Sequence, residues 1–291
     1  MPYTCVVLVK QVPDTKHITG EVMRPDGTVN RGALPAICNP EDLNALETAL
    51  TIRDQHGGSV VVLTMGLPKA AEVLREALYR GADHTILLSD RRLAGADTLA
   101  TAYALSRAIR RIGKVDIVLC GRQAIDGDTA QVGPQVAECL GIPQITYVQR
   151  IEALAGRRIQ ALRSTEEGYE YVESRLPILL TVLTTANTPR YPSARRLMRF
   201  KKARCPLELR GGDGAAPEEC AALEAKGLLI PVWTVEDIDA DPAQCGHSGS
   251  PTKVAHVESV KLLPADTKLI EPSMEGLRGL VRELVEDHTL G

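Results

Sequence analysis

The first 140 residues alternate between two hydrophobic periods, and that alternation constrains the fold more than any composition figure. Short runs rich in Val, Ile and Leu, namely TCVVLVK (4–10), SVVVLTM (59–65), HTILLS (84–89) and VDIVLC (115–120), are apolar on both faces of an extended chain. Strands of that kind need cover on both sides. Between them lie stretches with helical spacing. NPEDLNALETALTIRD carries Leu43, Leu46, Leu50 and neighbouring alanines on one face; AAEVLREALYR, a segment from Asp97 to Arg111 and a segment ending near Leu140 follow. Strand, helix, strand, helix at this spacing predicts a parallel sheet with right-handed crossovers, a doubly wound α/β domain. In the first helix Asn39 is placed to cap, Pro40 takes the first helical position, and Glu41 and Asp42 favour the positive helix end.

After residue 144 the rhythm changes. ITYVQRIEAL, RRIQALRSTEE, YEYVESRL and ILLTVLTT, separated by short polar turns, predict a meander or hairpins that add antiparallel strands to the sheet. Residues 187–204, NTPRYPSARRLMRFKKAR, place five arginines and two lysines between Arg190 and Arg204 around Leu197, Met198 and Phe200, as an exposed loop or short helix. Residues 205–272 are poor in periodic pattern and rich in Gly, Pro, Asp and Ser, which predicts an extended arm rather than a separate core. EGLRGLVRELVE closes the chain as an amphipathic helix with Ser273 as its cap. The expected division is an α/β domain over 1–204, with the basic stretch near 187–204 at its end, and an arm with a terminal helix over 205–291.

Several function classes lose support. A net charge of −3 offers no electrostatic case for nucleic acid, and aromatics at 3% leave no base-stacking platform. No run approaches the ~20 apolar residues of a membrane helix. MPYTCVVLVKQVPD does not read as a secretory leader, because its apolar stretch is one strand long and no small-residue cleavage site follows. Seven widely spaced cysteines form no CxxC pair, so neither a zinc nor an iron–sulfur framework is expected; Cys5, Cys120 and Cys139 read as core residues. Reduced thiols point to the cytoplasm. The histidines are scattered, and no GxSxG nucleophile motif occurs.

Ligands in open α/β sheets bind beyond the carboxyl ends of the strands. Four strand ends supply Leu8, Val9 and Lys10; Met65 and Gly66; Asp97 and Thr98 beyond the third strand; and GRQAIDGDTAQVGP (121–134). Asn39 and Asp42 start the first helix near the same crevice. No GxGxxG follows the first strand and no GxxxxGK[ST] occurs, so an ordinary dinucleotide fingerprint and a P-loop are both absent. What remains is a helix start at DTAQVG, where Thr129 would cap and backbone N–H groups of residues 129–132 would offer an anion site. Asp126 and Asp128 then have two readings: caps for turn and helix, or acceptors for ribose hydroxyls. Arg122 is placed to pair with either acid.

VKQVPDT, NPEDLNALETAL, LTMGLPKAAEVLREALYRGADHTILLSD, AGADT, GRQAIDGDTAQVGP and PRYPS (189–193) together resemble the β subunits of electron transfer flavoproteins over nearly the whole chain. The resemblance implies an α/β heterodimer with FAD in the α subunit and a second nucleotide in the β subunit. In one branch that nucleotide is a structural AMP; in another it is FAD that takes hydride from NADH and splits the electron pair. The uninterrupted GRQAIDGDTAQVGP and the segment GHSGSPT (246–252) are similar to the flavin-binding branch, which favours FAD over AMP, although Gly, Ser and Pro also make plain turns. Carried over by position, the nucleotide contacts are Leu8, Val9, Lys10, Asn39, Asp42, Met65 and Gly66. They continue through Gly121, Arg122, Gln123, Ala124, Ile125, Asp126, Gly127, Asp128, Thr129, Ala130, Gln131 and Val132. The stretch after PRY resembles a recognition loop that docks on acyl-CoA dehydrogenases through an exposed leucine. The matching position here is Ala194, a departure from that pattern, with Leu197 about one turn on and Tyr191 and Met198 nearby. The arm over 205–291 would pack on the α subunit. A non-redox nucleotide-binding scaffold of the same α/β class predicts instead that neither NADH nor a dehydrogenase reduces the bound cofactor.

Overall fold

A computed structural model of the chain describes residues 1–14, 35–209, 217–252 and 268–286. Two compact units are present, one comprising Met1–Lys16 and Leu34–Ala255, the other His17–Ala33 and His256–Gly291. In the first unit the order is β1 (Tyr3–Leu8), β2 (Gln11–Pro13), β3 (Ala36–Cys38), α1 (Pro40–His56), β4 (Gly58–Met65), α2 (Ala71–Arg80), β5 (His84–Leu88), α3 (Thr98–Ile112) and β6 (Ile117–Gly121). It continues with α4 (Val132–Leu140), β7 (Gln144–Ala155), β8 (Arg158–Thr165), β9 (Gly168–Arg175), β10 (Ile178–Val182), α5 (Ala194–Phe200), α6 (Pro217–Ala225) and β11 (Val232–Trp233).

The alternation of periods does produce the doubly wound fold. A nine-stranded sheet runs β11-β5-β4-β1-β6-β10-β7-β8-β9, and β1 lies parallel between β4 and β6. Side chains of successive strand residues point to opposite faces. Cys5 and Val7 therefore join the core under α1 and α2, with Leu46, Leu50 and Leu74, while Val6 and Leu8 join the core under α3 and α4, with Ala104, Leu105 and Val136. Each fully buried leucine contributes about 2 kcal/mol of transfer free energy. Cys5 and Cys120 are core residues as expected; Cys139, in the last turn of α4, is only half-buried.

Two expectations change. The four strands after residue 144 are not one meander. Only β7, β8 and β9 run antiparallel, whereas β10 returns between β6 and β7, parallel to both. Its five buried residues, ILLTV, explain the place: an all-apolar run belongs in the covered middle of a sheet. The stretch after Arg204, in turn, does not leave the α/β unit at once. β11 pairs in parallel with β5, and Ile230, Val235, Ile238 and Cys245 are buried. Arg107 and Arg111 of α3 donate to the backbone carbonyls of Ile238, Asp239 and Asp237, and the Tyr103 hydroxyl accepts from Asp241 N at 2.9 Å.

In the second unit the described element is α7 (Met274–Glu286), and Ser273 Oγ accepts from Gly276 N at 3.1 Å, the cap expected from sequence. Among the described residues no helix is long and apolar enough to cross a membrane.

Candidate functional site

A cavity of about 450 Å³ opens at the carboxyl ends of β1, β4 and β6. Leu8, Val9 and Lys10 line it from β1, Met65 from β4, and Asp97 and Thr98 from the start of α3. Asp42 reaches it from α1. Gly121, Arg122, Gln123 and Ala124, then Gly127, Asp128, Thr129, Ala130, Gln131 and Val132, line it from the loop after β6. That volume lies in the range of small-molecule and cofactor sites. Leu63, Leu93 and Leu105 complete the apolar wall. The sequence reading passed over them because a leucine inside an apolar run carries no chemical signal.

Four expected residues do not line the cavity: Asn39, Gly66, Ile125 and Asp126. Gly66 N donates to Leu88 O, turning its backbone toward β5. Asn39 occupies the N-cap position of α1 without capping it. Its amide instead donates to Gln123 O at 2.9 Å and accepts from Ile125 N at 3.1 Å, so it grips the loop from outside. Glu41, read from sequence only as a dipole partner, does more. Its carboxylate accepts from Arg122 Nη2 and from Gln123 N, both at 2.9 Å. Arg122 is thereby paired with Glu41, not with Asp126 or Asp128. Asp42 accepts from Lys10 N at 2.8 Å and from Gly121 N at 2.9 Å, tying together the ends of β1 and β6. Three residues in the first turn of one helix thus fix two strand ends and the root of the loop.

Burial pushes the Asp42 carboxyl up to about 7, against the pull of the two N–H donors from Lys10 and Gly121. A folded-state pKa above the unfolded one means that the folded chain holds a proton the unfolded chain has released. Asp42 therefore favours folding least at high pH, and its contribution to stability falls as pH rises from about 4 to about 7. In urea unfolding, the stability of wild type relative to Asp42→Asn should drop by about 4 kcal/mol between those limits. A pH-independent difference would contradict the shift.

The loop itself departs from the expected capped helix start. α4 begins at Val132, three residues after Thr129, and no side chain caps it. Neither acid serves as a helix cap. Asp126 takes both N–H contacts of Lys10 Nζ, at 2.7 and 2.9 Å, and Asp128 accepts from Gln123 Nε2 at 2.8 Å. The anion-binding potential lies elsewhere in the loop. Asp128 and Ala130 have positive φ, 47° and 53°, and Gln131 follows in the right-handed helical region. A left-handed residue followed by a right-handed one curls successive N–H groups into a concave anion nest. Among the described residues the N–H groups of Thr129, Ala130 and Gln131 have no acceptor, and all three residues line the cavity. Thr98 Oγ1 donates to Gln131 Oε1 at 3.1 Å, joining the two sides of the site.

The wall at α3 is fastened by the segment GHSGSPT. Asp97 caps α3 by accepting from Ala100 N at 3.0 Å, and its second oxygen accepts from Thr252 N at 3.0 Å. Ser250 is buried; its Oγ accepts from Asp97 N at 2.8 Å and donates to Gly246 O at 2.7 Å. His247 N donates to Ala94 O at 2.9 Å. Gly246, at φ 54°, lies where a Cβ would stand 2.1 Å from Arg92 O. Among the described residues no group of His, Cys, Asp and Glu could hold a metal ion.

The family description "Electron transfer flavoprotein domain" matches residues 26–207. The electron transfer flavoprotein subunit beta of Clostridium acetobutylicum is 41% identical over 97% of this chain and 98% of its own. The chain belongs to the electron transfer flavoprotein family. It aligns end to end with β subunits, so the electron-transfer role and the α/β fold expected from sequence both hold. The caffeyl-CoA reductase-Etf complex subunit CarD of Acetobacterium woodii is 40% identical over 98% of the chain and 99% of its own. Protein FixA of Azorhizobium caulinodans is 46% identical over 87% of the chain and 83% of its own.

In this electron transfer flavoprotein subunit the segment expected to meet partners forms α5 at the surface. Tyr191, Ala194, Leu197 and Met198 are exposed, with Tyr191 at 88%, while Phe200 is buried. Not every arginine nearby is free for a partner. Arg190 pairs with Glu47 and Asp54, and Arg196 donates to the carbonyls of Leu78 and Ala82 at the end of α2. The Arg196 bonds hold α5 on α2, the Arg190 pairs tie the residues before α5 to α1, and Leu197 and Met198 are left outward.

Proposed function

We propose that the cavity holds FAD, and that the chain is the β half of an αβ flavoprotein of the electron-bifurcating branch, passing electrons between NADH or a flavin dehydrogenase and a second FAD in the α subunit. The observation that carries this reading is the fastening of GHSGSPT to Asp97. A segment similar to the flavin-binding branch, distant in sequence from the loop after β6, is tied to a wall of the same cavity. The similarity to a subunit of a caffeyl-CoA reductase complex supports partnership with a dehydrogenase or reductase.

The lining suits a nucleotide. The nest at Ala130 and Gln131 and the Lys10 ammonium offer donors for phosphate, and Leu8, Val9, Leu63 and Met65 offer an apolar surface for a ring system that excludes water. FAD, when bound, supplies one- and two-electron redox chemistry. The chain's part is to hold and orient it: the first turn of α1 sets the loop, and the 246–252 segment sets the start of α3. The exposed α5, with Leu197 and Met198, would meet the dehydrogenase, and a cytoplasmic setting fits the seven free thiols.

The test is to purify the heterodimer, denature it, and identify the released nucleotides by chromatography against the flavin absorbance. Two FAD per heterodimer, with reduction by NADH, is the expected result. One FAD with one AMP would overturn the flavin assignment, and two FAD that no donor reduces would leave a non-redox scaffold.

A further inference from the structure

We propose that Asp126 sets how firmly this subunit retains its nucleotide: its carboxylate holds the Lys10 ammonium, and a phosphate of the incoming nucleotide takes that ammonium from it. The proposal rests on the nucleotide-binding reading of the cavity and assigns a role there to a residue outside its lining. Lys10 Nζ donates to both carboxylate oxygens of Asp126, at 2.7 and 2.9 Å. Lys10 lines the cavity, whereas Asp126 does not. The ammonium is thus held by a group set back from the place the ligand takes.

Among the described residues that line the cavity, the cations are Lys10 and Arg122. Arg122 is committed to the buried Glu41, and moving it would strand a buried carboxylate. Lys10 differs. Its side chain is 50% exposed and that of Asp126 is 29% exposed, so water solvates both groups when the pair opens. An exposed pair of this kind is worth little, and exchanging it is easy. The backbone on each side stays fixed meanwhile. Lys10 N donates to Asp42, and Lys10 O accepts from Asn39 N at 2.9 Å. Ile125 N donates to Asn39 Oδ1, and Asp128 N donates to Ala124 O at 2.9 Å across the turn that carries Asp126. Only the flexible stem of Lys10 has to turn.

Charge gives the direction of the exchange. Asp42, Asp97 and Asp128 also line the cavity, so an anion entering it needs a cation that can move toward it. The nest at residues 129–131 supplies N–H dipoles but no full charge. The pyrophosphate of a dinucleotide and the phosphate of AMP each carry about two negative charges against one on a carboxylate. Their oxygens accept short, charge-assisted bonds from an ammonium. The ammonium therefore changes partner when phosphate arrives, and Asp126 is left in water. Each binding event includes the loss of the Lys10–Asp126 pair, so Asp126 lowers affinity for phosphate-bearing nucleotides and leaves affinity for an uncharged nucleoside alone.

The test is a double-mutant cycle on the nucleotide-depleted αβ heterodimer, titrated by calorimetry with FAD, AMP and adenosine. An α-subunit site adds a binding event that none of these variants should move. Asp126→Asn should bind FAD and AMP about fivefold more tightly, the upper range for an exposed ion pair. Adenosine affinity should change by less than about twofold, and Asp126→Glu should keep wild-type affinities. Lys10→Met should bind FAD and AMP about tenfold more weakly. In the Lys10→Met background, Asp126→Asn should change either affinity by less than about twofold. The coupling should fade near about 0.5 M salt, where charges are screened within a few ångströms. An equal gain in the Lys10→Met background would mean that Asp126 repels the ligand directly, and an equal gain for adenosine would mean a change in the loop. Wild-type or weaker binding by Asp126→Asn would mean that the pair does not oppose binding. Any of these overturns the proposal. Normal FAD binding without the coupling overturns the exchange alone. Coupling with AMP in a subunit that takes no FAD overturns the flavin assignment alone, and binding of neither nucleotide overturns both.

Discussion

Glu41→Ala is expected to release the bound nucleotide while leaving the fold in place. The Glu41 side chain is only 7% exposed and meets two donors of the loop, the Arg122 guanidinium and Gln123 N. Truncation leaves a partly buried cation and a partly buried N–H without partners. Stranding such groups costs about 3 kcal/mol, which corresponds to about a hundredfold weaker retention if the cost falls on the loop conformation that binds. The helix should survive, because Leu46, Ala49, Leu50 and Ile52 still anchor it in the core. Glu41→Gln keeps one acceptor but loses the charge, and about a tenfold loss is expected. Dissociation constants from ultrafiltration, with circular dichroism as the check on folding, decide the matter. Wild-type retention in Glu41→Ala would mean that Asn39 and Asp42 hold the loop without it.

Gly246→Ala should have the larger effect on stability. A methyl group there would meet Arg92 O at 2.1 Å and Ala94 O at 2.8 Å, both backbone atoms that cannot swing aside, at a φ of 54° that L-residues rarely adopt. About 3 kcal/mol or more is expected from the overlap and the strain, or roughly 6–12 °C in Tm for a unit of this size. Gly141→Ala separates the two causes. Its φ of 70° is similar, but nothing lies within 4 Å of the added carbon, so only the conformational cost of about 1 kcal/mol should appear. The Gly246 variant should also lose nucleotide, because detaching the 246–252 segment frees Asp97 and the start of α3. Equal Tm changes in the two variants would show that the segment yields locally and does not support the cavity wall.

Both predictions turn on contacts whose chemistry was visible in the sequence and whose partners were not. Asn39, Pro40, Glu41 and Asp42 announced a helix start, and the helix starts there. The side chains of Asn39, Glu41 and Asp42, however, are committed to residues 121–125, about 80 positions away. Thr129 read as a cap because Thr before an apolar helical run usually is one. The chain instead gives Asp128 and Ala130 positive φ before the helix begins, and dihedrals of that kind leave no mark in the sequence when glycine is not used. Asp126 and Lys10 carry opposite charges but lie 116 residues apart, and only the meeting of the β1 and β6 ends pairs them. The segment GHSGSPT could be recognised as a motif, yet nothing in its composition said that it would grip Asp97.

By itself, the sequence determined the local layer: the strand and helix periods, their alternation, the doubly wound class that follows from two-sided apolar strands, and the family. These are properties of neighbouring residues, read through periods of two and 3.6. Tertiary structure alone decided that β10 inserts between β6 and β7, that the stretch after Arg204 returns to the sheet edge, and that the first turn of α1 holds the loop after β6. The physical reason is the same in each case. Burial ranks the places available to an apolar run, and a buried charge takes whichever donor the fold brings within about 3 Å, so these choices depend on distance through space, which periodicity along the chain does not encode.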